Sequence, residues 1–298
     1  MSKIKLVCGL FGLENFYNQD IKSYIEIAKI AESLGFDAVS VTDHVVMGKH
    51  LDQYPFGDFP LPPEAPWYEP LSVLNMIGSH TSSIHLATAV LITPLRNPAL
   101  LAKTVATVDV ISNGRLELGV GMGWQKEEYE AAGIDFTVRE ELFWETLEIL
   151  KKFWSESPVS HHGKHFQFSD IWCNPKPIQG NNVPLLFGIK MTEANAAKIA
   201  LLGDGWIPIK TSRSFIEQGN NLLTKAFAHS NKAPRIRGQL PTKTNNLGYP
   251  DLTETLKEFE KSYEHGLREI EFFPINFAQD RDSIKNILTQ IAKLKEEI

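Results

Sequence analysis

Residues 85–123, HLATAVLITPLRNPALLAKTVATVDVISNGRLELGVGMG, hold the unit from which the rest of the chain can be read. The apolar, β-branched run 85–92 has the composition of a buried strand, 98–112 is an amphipathic helix-like run, and 115–123 is apolar again. Pro98, two residues after Arg96, can occupy the first turn of the helix, where a missing N–H costs nothing. Strand, helix and strand joined by short connections are the pattern of parallel α/β architecture.

The alternation continues in both directions. Strand-like runs occur at 5–12, 38–44, 85–92, 115–123, 184–189, 205–209, 235–241 and 268–274. Helix-like runs follow each of them, at 21–34, 69–80, 98–112, a broken 125–154, 192–202, 214–228, 252–265 and 280–295. In the helix over 21–34, Asp20 is placed as N-cap and Gly35 as the residue that tolerates a left-handed C-terminal position. Doubly wound sheets more often stop at five to seven strands, so eight units favour closure into a (β/α)8 TIM barrel occupying 1–298 as one domain. Such barrels fold as single units at ~250 residues and above.

Two stretches break the rhythm. Residues 45–68, VVMGKHLDQYPFGDFPLPPEAPWY, form a long loop after strand two, and residues 155–183 form an irregular insertion before strand five. The first belongs to a βα connection and so to the catalytic face, where long structured loops serve as lids or binding loops. The second lies in an αβ connection and has to fold up over the rim to reach that face.

Composition is that of a globular enzyme: 43% hydrophobic, 22% charged and 10% aromatic, with no biased tract. A net charge of −6 argues against a nucleic-acid partner, which requires a basic surplus. Two cysteines, Cys8 and Cys173, suit neither a disulfide scaffold nor a zinc site. The apolar run from Leu6 to Leu13 has too short a basic lead and no cleavage site for a signal peptide, and no stretch approaches the ~20 apolar residues of a membrane helix. A cytoplasmic location is expected.

Chemistry-bearing residues gather at strand ends. Asp43 and His44 close strand two, where a histidine can act as acid, base or hydrogen-bond donor to a redox ring, or the pair can simply cap the strand. The alternate glycines of Gly119-Val120-Gly121-Met122-Gly123-Trp124 let backbone approach a planar ligand or pack inside a crowded barrel. They fail as a dinucleotide fingerprint, because Trp124 stands where the third glycine belongs. After strand five, Gly188-Ile189-Lys190 leads into a helix and suits a cofactor phosphate, unless Thr192 simply caps that helix. His161, His162 and His165 lack acidic or cysteine partners at metal-site spacing. Trp67, Tyr68, Trp124 and Trp172 can stack on a ring system or pack in a core.

These residues resemble the luciferase-like monooxygenase superfamily, particularly its probable coenzyme F420-dependent oxidoreductases, along nearly the whole chain. The resemblance is carried by FDAVSVTDHVV, by PLRNP with its following Ala and Lys, by SNGRLELGVGMGW and by GDGWIP. It implies that His44, with Asp43 beside it, lies against an isoalloxazine or deazaflavin ring, and that Ala89–Val90 forms a cis peptide supporting the ring's face. It further implies that Gly121, Met122 and Gly123 line the cofactor edge, that Gly188, Ile189 and Lys190 receive its phosphate, and that the protein is a homodimer. Relatives commonly carry two small residues after strand five. Bulky Ile189 departs from that pattern, with weaker binding or a different cofactor as the consequence.

The expected function is flavin- or deazaflavin-dependent hydride transfer to or from a small organic substrate, with coenzyme F420 favoured and no nucleic-acid or membrane partner. Two readings stand beside it: an FMN-dependent monooxygenase using O2, and a flavin-binding protein without turnover. A cofactor-free hydrolase or lyase using Asp43 and Glu117 is a third.

Overall fold

The computed structural model describes residues 4–55, 57–59 and 61–297. The first three residues of the basic lead, and Phe56 and Pro60 in the 45–68 loop, lie outside the described residues. The strands are β1 Lys5–Gly9, β2 Ala38–Val41, β3 His85–Ile92, β4 Leu116–Gly121, β5 Val159–His162, β6 Gln167–Ile171, β7 Leu185–Phe187, β8 Gly205–Trp206, β9 Arg235–Gln239 and β10 Glu269–Phe272. The helices are α1 Ser23–Ser33, α2 Pro70–Gly78, α3 Pro98–Ile111, α4 Lys126–Ala131, α5 Arg139–Ser155, α6 Glu193–Leu202, α7 Arg213–Ala226, α8 Leu252–Glu264 and α9 Arg281–Glu297. Among the described residues, no helix is long and apolar enough to cross a membrane.

Eight parallel strands close into a barrel in the order β1-β10-β9-β8-β7-β4-β3-β2, and β5 and β6 form a separate antiparallel pair. The expected TIM barrel is therefore present, with its long connection after β2. Seven of the eight sequence runs outlast the hydrogen-bonded ladder by two or three residues at the C-terminal end, as with 44 against Val41 in β2 and 189 against Phe187 in β7. The apolar pattern continues past the last ladder bond because these residues turn out to line the mouth, where they are still buried but no longer paired.

Local signals decide the remaining boundaries. Asp20 does not cap α1: its Oδ1 accepts from Lys22 N at 2.9 Å and closes a turn ahead of the helix, which starts at Ser23. Gly35 takes φ +78° as expected, and Phe36 N reaches back to Ala31 O at 3.0 Å. The broken run 125–154 divides into α4 and α5 where Gly133 adopts φ +71° and Asp135 Oδ1 accepts from Thr137 N at 2.9 Å.

The second insertion is not irregular, and it does not reach the mouth. Its hairpin packs on α5, with Phe168 stacked on Phe153 at 5.2 Å, and its end is tied to the opposite end of the barrel. There Gln179 Nε2 donates to Asp109 Oδ1 at 2.7 Å and to Leu116 O at 2.8 Å. An αβ connection starts and finishes on the N-terminal side of the sheet, and apolar residues on the outer helices give the hairpin a surface to bury there.

Inside the barrel, the N-terminal end is closed by charge. Arg235 Nε donates to Glu269 Oε1 at 2.5 Å and its Nη2 to Glu117 Oε2 at 2.8 Å, while Arg237 bonds both carboxylates and His85 Nδ1 lies 3.2 Å from Glu117 Oε1. Burial works against ionisation of Glu117, but Arg237, His85 and Arg235 hold it well below the usual carboxylate range. Glu269 is likewise lowered: burial again opposes ionisation, and Arg237 and Arg235 outweigh it. Carboxylates depressed in the folded state contribute stability above their unfolded pKa, ~4.3, and lose it as pH falls through the folded value. Urea unfolding should therefore show constant stability from this network at neutral pH and a decline that begins below about pH 4.5. Glu117→Gln, which leaves Arg235 and Arg237 to share the single carboxylate of Glu269, should cost about 3 kcal/mol at pH 7; a loss under about 1 kcal/mol would show that the network contributes little.

Candidate active site

Asp43 follows the last residue of β2 and is 5% exposed. Its Oδ2 accepts from Ile92 N at 2.8 Å and from Arg96 Nη1 at 2.7 Å, and its Oδ1 accepts from Arg96 Nη2 at 3.0 Å. The second guanidinium nitrogen also reaches Glu69 Oε1 at 3.2 Å, and Glu69 Oε2 caps α2 through Ser72 N at 2.7 Å. One carboxylate thus fastens the end of β2 to the end of β3 and, through Arg96, to the start of α2. Burial lowers the Arg96 pKa, but Asp43 and Glu69 raise it above the ordinary value overall. With both oxygens occupied, Asp43 has the surroundings of a positioning residue.

His44 is set between a carboxylate and a wall of rings. Its Nδ1 lies 3.0 Å from Oε2 of Glu128, which is fully buried, and Glu128 Oε1 accepts from Val45 N at 2.9 Å. The imidazole meets Trp67 edge-on at 4.6 Å, Phe59 at 6.0 Å and Trp124 at 6.1 Å. Tyr54 stands 5.1 Å from both Phe59 and Trp124, so the 45–68 loop folds back over the mouth as an aromatic roof. The roof is bolted to the segment after β4: Gly48 N donates to Gln125 Oε1 at 2.7 Å, and Gln125 Nε2 donates back to Gly48 O at 3.3 Å.

The Ala89–Val90 peptide is cis, at the bulge where the β3–β4 register shifts. The Val90 side chain fills the room left by two glycines: a Cβ on Gly121 would lie 2.6 Å from Val90 Cγ2, and one on Gly188 would lie 2.8 Å from Val90 Cγ1. These glycines therefore serve close packing of the bulge across three strands. Gly123 is a different case, at φ +67°, where L side chains are strained and the chain turns from β4 towards α4. Met122 is partly buried, and its carbonyl accepts from Tyr129 Oη.

At the end of β7, Gly188 N is committed to Val120 O at 2.8 Å. Ile189 is buried in the core, and its carbonyl accepts from Trp206 Nε1 at 2.9 Å. Lys190 is exposed, and Thr192 Oγ1 caps α6 through Asn195 N at 3.1 Å. The turn thus offers the exposed Lys190 and a helix end already capped by its own threonine.

The other candidates fall elsewhere. Glu117 lies at the opposite end of the barrel from Asp43, which removes the pairing on which a cofactor-free hydrolase or lyase depends. His161 and His165 contact Glu145 at 3.1 Å and Glu141 at 2.8 Å on α5, and no metal-holding cluster occurs among the described residues. Trp172 is 63% exposed on the hairpin side, far from Trp67 and Trp124. Sequence reasoning missed Glu128, Arg96 as the partner of Asp43, and Tyr54 and Phe59 in the roof.

The site's residues also bear on a planar heterocyclic guest. Thr42 Oγ1, two residues before His44, and Trp67 Nε1, on the ring packed against His44, are buried without a hydrogen-bond partner. A buried donor left unmatched costs about 1–3 kcal/mol, which a ligand with carbonyl or ring-nitrogen acceptors would recover. The ring end of a flavin or deazaflavin fits these residues.

The family model for luciferase-like monooxygenases matches residues 9–242, and the chain belongs to that family. An uncharacterized protein of Mycobacterium tuberculosis is 35% identical over 188 residues, 60% of this chain and 65% of that protein. An F420-dependent glucose-6-phosphate dehydrogenase of Segniliparus rotundus is 30% identical over 191 residues, 62% of this chain and 52% of the enzyme. The matches thus span less than two thirds of the length of these curated relatives. A monooxygenase from Streptomyces bottropensis has the same fold at 19% identity, with a TM-score of 0.83 over 99% of this chain and 100% of its own.

Replacing Asp43 by Asn should leave the partly buried Arg96 with only the exposed Glu69 as a charged partner and lower unfolding stability by about 3 kcal/mol in a urea titration. A change under about 1 kcal/mol would mean that the strand ends hold together without this clamp.

Proposed function

We propose that the chain is an oxidoreductase that binds coenzyme F420 at the barrel mouth and passes hydride to or from a small organic substrate, acting on neither nucleic acid nor membrane. The observation that carries this reading is the setting of His44: an imidazole held by a buried carboxylate, walled by Trp67, Phe59 and Trp124, with the orphaned donors Thr42 Oγ1 and Trp67 Nε1 beside it. A sequence relative that names its cofactor, 30% identical over 191 residues, is F420-dependent, which supports the deazaflavin within a family whose model is that of luciferase-like monooxygenases.

A bound deazaflavin supplies two-electron hydride chemistry without oxygen activation. His44 and Trp67 would hold the ring edge, Val90 would back its face, and Lys190 would receive the phosphate end. The aromatic roof excludes water, which strengthens every polar contact beneath it and protects a hydride donor from competing protons. His44 takes or gives the proton that accompanies hydride transfer at the substrate's oxygen or nitrogen. The roof's apolar walls suit a small, largely uncharged substrate.

FMN is the second reading, because the fold neighbours include a monooxygenase. Titrating the purified protein separately with F420 and FMN, by fluorescence and absorbance, distinguishes the two. F420 should bind at micromolar concentration, and in His44→Gln, which keeps a polar side chain facing Glu128, turnover should fall by about 10²–10⁴-fold. Saturable binding of FMN with no response to F420 would replace the deazaflavin reading, and binding of neither would remove both.

A further inference from the structure

Resting on that reading of the mouth, we propose that Glu128 is the positioning residue of the site: it fixes His44 as the tautomer with the proton on Nδ1 and presents a bare Nε2 to the guest. Asp43 is the carboxylate next to His44 in sequence, but both its oxygens are engaged by Arg96 and Ile92 N. Glu128 comes from α4, on the far side of β4, and is fully buried. Its Oε2 lies 3.0 Å from His44 Nδ1, and neither atom makes a hydrogen bond to any of the described residues. The two atoms are within hydrogen-bond distance but not aligned as a straight hydrogen bond, so the carboxylate acts on a neutral ring by favouring the Nδ1–H dipole over a lone pair at that nitrogen.

The other oxygen makes the arrangement directional. Glu128 Oε1 accepts from Val45 N at 2.9 Å, which pins the carboxylate to the first residue of the roof loop. Oε2 is thereby aimed at the ring and cannot rotate away without releasing Val45. A carboxylate facing a ring nitrogen requires that nitrogen to carry the proton, and in the neutral imidazole the other nitrogen is then an acceptor. The same side chain thus sets the imidazole's proton and the root of the loop that roofs it. With Gln125 holding Gly48, the turn from β4 into α4 supports both parts of the site.

Glu128→Gln gives a determinate contrast. Val45 N still demands an acceptor, so the amide oxygen must stay on Val45 and the amide NH2 must face His44 Nδ1. A donor there forces Nδ1 to become the acceptor and moves the proton to Nε2. Nitrogen-15 NMR of imidazole-labelled protein without cofactor, at a pH where the ring is neutral, reads this directly. In the unsubstituted protein Nε2 of His44 should resonate at the downfield, unprotonated position and Nδ1 upfield. In Glu128→Gln the two positions should exchange, while in Asp43→Asn they should stay as they are. The F420 titration is read separately, so failure of cofactor binding leaves the tautomer result standing.

A His44 already protonated on Nε2 in the unsubstituted protein would overturn the proposal, whether or not Glu128→Gln folds. So would an unchanged tautomer in a folded Glu128→Gln protein, which would reduce Glu128 to a loop anchor.

Discussion

Two buried carboxylates, Asp43 and Glu128, hold the mouth of the barrel together. A barrel's ladder fixes its strands only as far as the last paired residue, and what happens beyond is left to side chains. Asp43 ties the end of β2 to Ile92 N and Arg96 beyond β3, and Glu128 ties the root of the following loop to α4 beyond β4. His44 sits between these ties. Buried charges persist only when they are paired or hydrogen-bonded, so each carboxylate specifies one geometry of its neighbours. The clamp is costly to break, and its position is correspondingly well defined.

On this frame the roof becomes intelligible. Tyr54, Phe59 and Trp67 come from a loop with several prolines; Phe59 and Trp67 meet His44 edge to face at 6.0 and 4.6 Å, and Tyr54 meets Trp124 so at 5.1 Å, the arrangement aromatic rings favour. The contacts hold the loop down without a regular element inside most of it. Among the polar atoms left unmatched near the mouth, those of Thr42 and Trp67 lie beside His44. The N-terminal end is built on the opposite plan, with a charge network where the mouth has rings. Above that network Glu271, buried and bonded to Ser40 Oγ at 2.5 Å, has a pKa raised by burial. Ser40 and Arg237 favour its ionised form but do not outweigh burial.

Much of this was legible in the sequence. The eight alternations give the barrel because short, largely apolar strand-like runs alternate with helices apolar on one face, a pattern that survives charged residues such as Arg237 and Glu269 within two of the strands. The position of Asp43-His44 at the end of a strand run and the cis bond at Ala89–Val90 could also be anticipated, the latter through resemblance. Strand ends could not, since residues lining the mouth are as apolar as those in the ladder. The turn at Gly163 could be read as a hairpin tip, but the extent of β5 and β6 could not, because most of their residues are exposed. Glu128 was hidden among Glu127 and Glu130 on one amphipathic run, where spacing alone does not show which carboxylate is buried. The glycines of β4 and β7 show the limit from the other side: their spacing is compatible with a ligand, and the space beside Gly121 and Gly188 is taken by Val90.

Hydrogen exchange read by mass spectrometry, with and without saturating F420, tests the central claim that these strand ends form one ligand site under the aromatic roof. Protection should rise together in segments 42–54, 88–96 and 121–129, and remain unchanged around Lys5, Arg235 and Glu269 at the other end of the barrel. Protection confined to the charged end, or to the hairpin at 159–171, would contradict the account.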